Sequence, residues 1–312
     1  FVGGVLGGGT AQAEEADPAD PTKMQGGPTS AFGERSAYEP IARLPSYGVI
    51  SGTPLQSLHG TITPADLHFE RHHAGIPAID PNQHSLMVHG LVERPLKFSM
   101  DDLMRFPAVT RTCFLECSGN LQIKAGEETS PQMLCGLTSQ SEWTGVALST
   151  ILREVGAKST AKWILAEGSD AAKMTRSIPI EKALDDAILA YAQNGEAVRP
   201  AQGYPLRLLL PGWEGNTNVK WLRRLELGDQ PFMTREETSK YTEPVAGDQA
   251  RQFSFTMDAR SVITTPTYPT HVSRGWNEIR GLAWSGRGRI ARVEVSVDGG
   301  QKWEDARLVG PV

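Results

Sequence analysis

The chain has 312 residues, a length that allows two domains, and its 39% hydrophobic and 21% charged content is enough for a real core. A formal net charge of -5 lacks the basic excess that a nucleic-acid binder needs, so no nucleic-acid partner is expected. With 32 glycines and 21 prolines, the composition favours many short strands and turns over long helices.

The first segment, FVGGVLGGGTAQA, is small and apolar and ends in Ala11-Gln12-Ala13, an A-x-A cleavage pattern. Residues 1–13 read as the end of an export signal whose upstream part precedes Phe1. Residues 14–40, rich in Pro, Gly, Ser and Thr, read as a linker and N-terminal arm. No other apolar run is long enough to span a bilayer, so no membrane partner is expected.

From SLMVHGLV (85–92) short strands alternate with short helices. SMDDLMRF (99–106) opens with a Ser cap followed by acidic residues, a helix start. GVALSTILREVG (145–156) reads as an amphipathic helix closed by Gly156. KWILAEG (162–168) and YPLRLLLPG (204–212) read as buried strands, and SIPIEKAL (177–184) as a strand turning into a helix. Beyond about residue 246, alternating strands with glycine turns begin, and RVEVSVDGGQKWEDARL reads as a hairpin around Asp298-Gly299-Gly300. This is the start of an immunoglobulin-like sandwich, with only about four of its strands before Val312, so a C-terminal truncation is expected. The expected fold class is α+β: a mixed α/β domain over 41–246, then the truncated sandwich over 247–312.

An exported chain with three cysteines leaves one over. Cys113 and Cys117, if on one strand, stand about 13 Å apart. A disulfide needs Cα atoms within about 7 Å, which leaves Cys135 as the plausible partner for either. There is no C-x-x-C and no C-x-x-C-H, hence neither a zinc ribbon nor an attached haem. The segment TCFLECSGN (112–120) carries a thiol to the end of a strand, then strips away all bulk with Ser118-Gly119-Asn120. Taken alone, Cys117 is as well explained by packing as by chemistry.

In context the segment resembles the molybdenum-ligand motif of the sulfite oxidase family, usually C-A-G-N. Four further segments follow the family in order. FERHHAGIPAID is similar to its F-x-R-N-H-x-P-x-P-x-x-D segment, and SIPIEKALDDAILAYAQNGEAV to its S-I-P…L-A-Y-x-x-N-G segment. GYPLRLLLPGWEGNTNVKWLRRLEL resembles the G-F-P-x-R-x-x-x-P-G…V-K-W-L segment, and GLAWSGRGRIARVEVSVDGGQKWEDARL the start of the dimerisation domain. Within the family the fit is best to the molybdenum subunits of sulfane dehydrogenases.

The resemblance implies a molybdenum–molybdopterin cofactor with one pterin dithiolene, and Cys117 as the metal's protein ligand. It implies that Arg71, near the metal, holds an anionic sulfur oxide, that His73 contacts the pterin, that Arg207 and Lys220 clamp the pterin phosphate, and that Tyr241 stands beside the metal. Arg71, Cys117 and Tyr241 are therefore the expected catalytic residues. His72 stands where the family has asparagine. The arginines that usually follow the motif are replaced by Leu121 and Gln122, with Lys124 nearby. The histidine before G-F-P is Gln202, and the arginine before V-K-W-L is lost within Asn216-Thr217-Asn218. Less positive charge favours a substrate with less charge at the reacting sulfur.

The implied activity is periplasmic oxidation of a sulfane sulfur held on a carrier-protein cysteine, with a c-type cytochrome as electron acceptor. Export would occur folded, after cofactor insertion, and a homodimer or heterotetramer is expected. Two other readings are oxidation of free sulfite and, in a different class, an exported binding protein without activity.

Overall fold

The computed structural model describes residues 25–46, 48–121, 123–124 and 126–310. The expected export signal and Gln122 lie outside the described residues. The chain divides into two units, Phe1–Pro40 and Ile41–Val312. In the first, residues 25–40 are exposed and without regular structure beyond a turn closed by the Glu39 N–H on Ser36 O at 3.0 Å.

The second unit opens with β1 (Leu44–Ser46), β2 (Ile50–Gly52) and β3 (Glu70–Arg71), a small antiparallel sheet. Then come β4 (Ser85–Gly90), β5 (Leu96–Ser99) and α1 (Met100–Met104). Helix α1 starts where the Ser cap places it: Ser99 accepts from the Asp102 N–H and Asp102 accepts from the Ser99 N–H, a reciprocal cap. Next are β6 (Ala108–Glu116), α2 (Pro131–Cys135), β7 (Thr138–Ala147) and α3 (Leu148–Val155). The helix expected from residue 145 begins at Leu148, because Gly145, Val146 and Ala147 are still paired with β10 (Ile188–Gln193). Backbone contact decides this: a Cβ on Gly145 would lie 2.0 Å from Leu189 O. The apolar spacing Leu148, Ile151, Leu152 and Val155 is buried throughout, as an amphipathic helix requires.

The remaining elements are β8 (Trp163–Gly168), β9 (Thr175–Pro179), α4 (Ile180–Asp185), β10, β11 (Glu196–Ala197), β12 (Arg207–Leu209), β13 (Leu222–Gly228) and α5 (Arg235–Ser239). Two five-stranded sheets result, one ordered β11-β10-β7-β6 with β12 also on β10, the other β5-β4-β13-β8-β9. The expected strand at 204–212 is regular only over Arg207–Leu209. The main core joins both sheets and α3 through Leu86, Val88, Leu152, Ile164, Leu208 and Leu225. A second core, with Phe69, Leu115, Trp143, Ile188 and Leu209, lies against Cys113 and Cys117.

The C-terminal part is three antiparallel pairs: β14 (Glu243–Val245) with β15 (Gln249–Arg251), β16 (Arg260–Thr265) with β17 (Arg280–Trp284), and β18 (Glu294–Val295) with β19 (Glu304–Asp305). The last is the hairpin expected from sequence. Its turn is organised by Asp298, whose carboxylate accepts from the N–H groups of Gln301 (3.0 Å) and Lys302 (2.9 Å). Among the described residues no helix is long and apolar enough to cross a membrane.

Helix α3 ends on Gly156 at φ +64°, and a Cβ there would lie 2.8 Å from the Glu93 carboxylate. Gly156→Ala is expected to cost about 1–2 kcal/mol through the left-handed backbone alone. Chemical denaturation of the two proteins side by side measures this; an unchanged midpoint would contradict the cap.

Candidate active site

Strand β6 alternates faces. Leu115 packs in the core beside Cys117, while Phe114 turns to a different cluster with Leu55, Met257 and Trp284. Cys117 follows the last β6 residue and is pinned as a turn begins. Its N–H donates to Leu137 O (2.9 Å), its carbonyl accepts from the Asn120 N–H (3.0 Å), and its Sγ receives the Gly119 N–H at 3.4 Å. Asn120, buried, holds the turn down by donating to Glu116 (3.0 Å) and Thr138 Oγ1 (2.8 Å) and accepting from the Leu137 N–H (3.1 Å). Ser-Gly-Asn therefore does two things: Ser and Gly leave space beside the sulfur, and Asn ties the loop.

All six residues singled out from the sequence, Arg71, His73, Cys117, Arg207, Lys220 and Tyr241, line one cavity. It holds about 680 Å³ of empty space including its open mouth.

Arg207 enters on β12, which pairs with β10 at Ala190. Set within LRLLL, it could be a surface strand residue; instead it is buried. Its guanidinium lies over Trp143 at 4.8 Å and donates to Gln202 O (2.9 Å) and Asn218 O (3.2 Å), while among the described residues Nε finds no partner. Lys220 Nζ donates to Arg71 O (3.1 Å) and Ala201 O (3.0 Å) and meets His72 Nδ1 at 2.8 Å. The residue after it, Trp221, has φ +51°, a left-handed conformation that costs a bulky side chain about 1–2 kcal/mol. The strain is over-determined locally. Trp221 Nε1 donates to Pro200 O (2.9 Å), its carbonyl accepts from the Ser169 N–H (2.8 Å), and Lys220 Nζ sits 4.5 Å above its ring.

Tyr241 is delivered by α5. Glu237, fully buried, caps that helix through Thr234, accepts from the Ser177 N–H on β9 (2.7 Å) and pairs with Arg176 at 3.1 Å. Glu236 accepts from Thr175 Oγ1 (2.9 Å), and its carbonyl accepts from the Tyr241 N–H (2.9 Å). The phenol reaches His73 Nε2 at 3.2 Å.

Burial dominates the electrostatics. It drives Lys220 well below its ordinary 10.5, with Arg207 adding repulsion, and brings Arg207 down to about 9. Burial, with Lys220 next, holds His72 down at about 3 and therefore neutral. Tyr241 rises to about 12, from burial first and the Cys117 thiol second, so it keeps its proton. The Cys117 thiol is pushed up by burial, against the pull of the Gly119 N–H and Arg71. Among the described residues no carboxylate closes an ion pair with Arg71, Arg207 or Lys220, although Asp170 bears on Lys220 at longer range. The cavity is a cationic site in want of an anion.

Several residues at the site were not assigned a role from the sequence. His72 lines the cavity, as do Gln202, Asn216 and Asp170. Gln202 and Asn216 were visible as departures from the family pattern; Asp170 gave no signal. Arg176 was missed altogether: fully buried, it donates to Asn216 Oδ1 (2.5 Å) and stacks 5.0 Å from the Tyr241 ring. Lys124 is exposed and stays out of the cavity. Cys113, Cys117 and Cys135 are all unpaired thiols, and burial lifts Cys113 to about 12 and Cys135 to about 11.

Comparison with known proteins adds the family. Residues 73–236 match the model of the oxidoreductase molybdopterin binding domain, and 251–311 that of the Mo-co oxidoreductase dimerisation domain. The chain belongs to the sulfite oxidase family of molybdopterin oxidoreductases. The sulfane dehydrogenase SoxCD from Paracoccus pantotrophus is similar in structure, with TM-score 0.83 and 44% identity over 93% of this chain and 80% of that one. Mitochondrial sulfite oxidase from Mus musculus is 30% identical over 95% of this chain and 58% of its own length. An NADH nitrate reductase from Ulva prolifera is 34% identical over 78% of this chain and 32% of its own. The chain thus spans about a third of that nitrate reductase and little more than half of the sulfite oxidase.

Membership of this family brings a molybdenum–molybdopterin cofactor, and the cavity fits one. The orphaned Arg207 Nε and the carboxylate-free Lys220 suit a phosphate. The Cys117 sulfur, which lines the same cavity, is a soft donor that suits a thiophilic metal such as molybdenum.

The cation burial has a pH signature. In cofactor-free protein the folded-state pKa of Lys220 lies below its ordinary 10.5, so the unfolded chain binds more protons across that interval. The destabilisation is full below the folded value and fades as pH rises towards 10.5. The melting temperature of the cofactor-free protein is expected to rise through this window, and to rise less steeply in Lys220→Met. Equal slopes would mean that Lys220 is not a buried charge.

Proposed function

We propose that this protein oxidises a sulfane sulfur carried on the cysteine of a partner protein, with the electrons leaving one at a time to a c-type cytochrome. What carries this reading is one cavity lined by the Cys117 sulfur and by Arg71, Arg207 and Lys220, in a chain 44% identical to a sulfane dehydrogenase. The bound cofactor supplies the two-electron redox couple and the transfer of an oxygen that derives from water. The chain supplies position and charge. Cys117 anchors the metal through its thiolate, and Arg207 and Lys220 hold the phosphate. Arg71 takes up negative charge on the oxidised sulfur. Tyr241, protonated up to about 12, is a hydrogen-bond donor held in place by His73 and Arg176. For each oxygen added, two electrons and two protons leave.

We place the reaction in the periplasm, reached by export of the folded, loaded chain. The A-x-A pattern at residues 11–13 and the apolar stretch before it support this. The dimerisation domain and the two-component name of the sulfane dehydrogenase support a homodimer or heterotetramer.

Cys117→Ser is expected to abolish turnover in a folded protein, read as activity per bound molybdenum with circular dichroism as the folding check. Full turnover in a metal-loaded variant would remove Cys117 from the reaction. Arg207→Ala and Lys220→Ala each delete a charge-assisted contact of about 1.5–3 kcal/mol, so pterin affinity is expected to fall roughly tenfold to hundredfold. Unchanged pterin per chain in both would misplace the phosphate clamp.

Substrate choice is tested by kcat/KM for free sulfite against the carrier-bound sulfur, with a c-type cytochrome as acceptor. The carrier-bound substrate is expected to win. A higher value for sulfite would make the protein a sulfite dehydrogenase, and a purified full-length protein without molybdenum would make it a binding protein.

A further inference from the structure

Glu116 precedes Cys117 and faces the opposite way. It is fully buried at 0% exposure, a costly place for a carboxylate. It accepts from Trp284 Nε1 (2.6 Å) and Arg260 Nη1 (2.7 Å), both on the C-terminal hairpin β16–β17, and from Asn120 Nδ2 (3.0 Å), on the turn that carries Cys117. The indole of Trp284 packs in one cluster with Phe114 of β6 and Cys135 of α2. The carbonyl of Glu116 is boxed in as well, since a Cβ on Gly215 would lie 2.7 Å from it and 3.2 Å from Cys117 Cα. Thus one carboxylate, a single residue from the sulfur, joins the dimerisation module to the turn that aims that sulfur.

We propose that Glu116 is a positioning residue: the seating of the β16–β17 hairpin, read through Trp284 and Arg260, fixes the direction of the Cys117 thiolate towards the metal. The inference rests on the assignment of Cys117 as the metal's protein ligand. Rotation about the Glu116–Cys117 peptide is restrained on one side by the Leu137 pairing and on the other by the carboxylate's three donors. Loss of the two C-terminal donors leaves Asn120 to hold the carboxylate alone. The reorientation then acts on the thiolate, not on substrate binding.

The test uses the full-length holoenzyme. Trp284→Phe keeps the aromatic body and deletes the N–H. Arg260→Met removes the cation from a residue whose side chain is 30% exposed. Leu55→Ala is the control, because it loosens the same cluster without touching Glu116. The readouts are the molybdenum EPR line shape, the rate of molybdenum loss against a competing dithiol, and kcat separately from KM. Trp284→Phe and Arg260→Met are expected to shift the EPR signal, to speed metal loss about tenfold as a charged hydrogen bond is removed, and to lower kcat with KM unchanged. Leu55→Ala is expected to lower the melting temperature and leave the EPR signal and loss rate as in the wild type. Wild-type signal and loss rate in both hairpin variants would overturn the proposal, as would an equal shift in the Leu55→Ala control. Cys117→Ser separates the two levels. If it keeps the wild-type signal, the ligand assignment itself has failed; if it alone loses the signal, only the role of Glu116 has.

Discussion

Two buried cations without a carboxylate set the terms for this site. Removing a charge from water costs several kcal/mol even after relaxation, and a fold tolerates that only with many oriented dipoles or an opposite charge nearby. Arg207 and Lys220 get the dipoles: carbonyls of Arg71, Ala201, Gln202 and Asn218 converge on them, and the faces of Trp143 and Trp221 lie beneath. The opposite charge is left to a ligand. The loops that supply those carbonyls are in turn held by the parts of the chain that look least regular, including Trp221 in its left-handed conformation and the turn at Pro200–Gln202. A site of this kind stores binding energy for an anion in the apo protein, because the ligand relieves a cost already present.

The second constraint is the two-residue period of β6. At the end of β6, Leu115 and Cys117 meet the cavity side while Phe114 and Glu116 meet the C-terminal hairpin, so adjacent residues serve different modules. A helix could not do this at neighbouring positions, since residues i and i+1 diverge by only part of a turn. The strand brings Cys117 to the cavity and Glu116 to Arg260 and Trp284 with a single backbone step between them.

Much of this was legible in the sequence where the signal is local. The Ser99 cap, the apolar spacing of α3, and the thiol followed by Ser-Gly-Asn each declare themselves within ten residues. The family pattern gave the six cavity residues, which are spread between positions 71 and 241 and which local reasoning treats as ordinary: Arg207 reads as a snorkelling strand residue and Tyr241 as loop surface. What escaped was tertiary. Arg176 precedes an unremarkable Ser-Ile-Pro, and only the fold sets it between Glu237 and Asn216. Glu116 drew no reading from the sequence, because two of its three partners, Arg260 and Trp284, arrive more than 140 positions later.

The departures from the family pattern acquire a physical meaning once the partners are known. Gln202 occupies its position without charge and commits its amide to Phe69 O at 2.8 Å. Asn216 is backed by the Arg176 guanidinium, but that charge is matched by Glu237, so little positive field is left over for a bound anion. On the proposed reading, Arg207 and Lys220 would be taken up by the cofactor phosphate. Among the described residues Arg71 is then the lining cation that neither a carboxylate nor that phosphate would offset. One uncompensated guanidinium gives a free dianion little preference for this pocket over water, whose high dielectric already solvates it well. A sulfur presented on another protein needs less from the pocket, since contacts outside it can supply the binding energy and the pocket need only favour the charge that develops during oxidation. On the proposed reading, the neutralisation of Arg176 by Glu237 is the feature that would favour a protein-borne substrate.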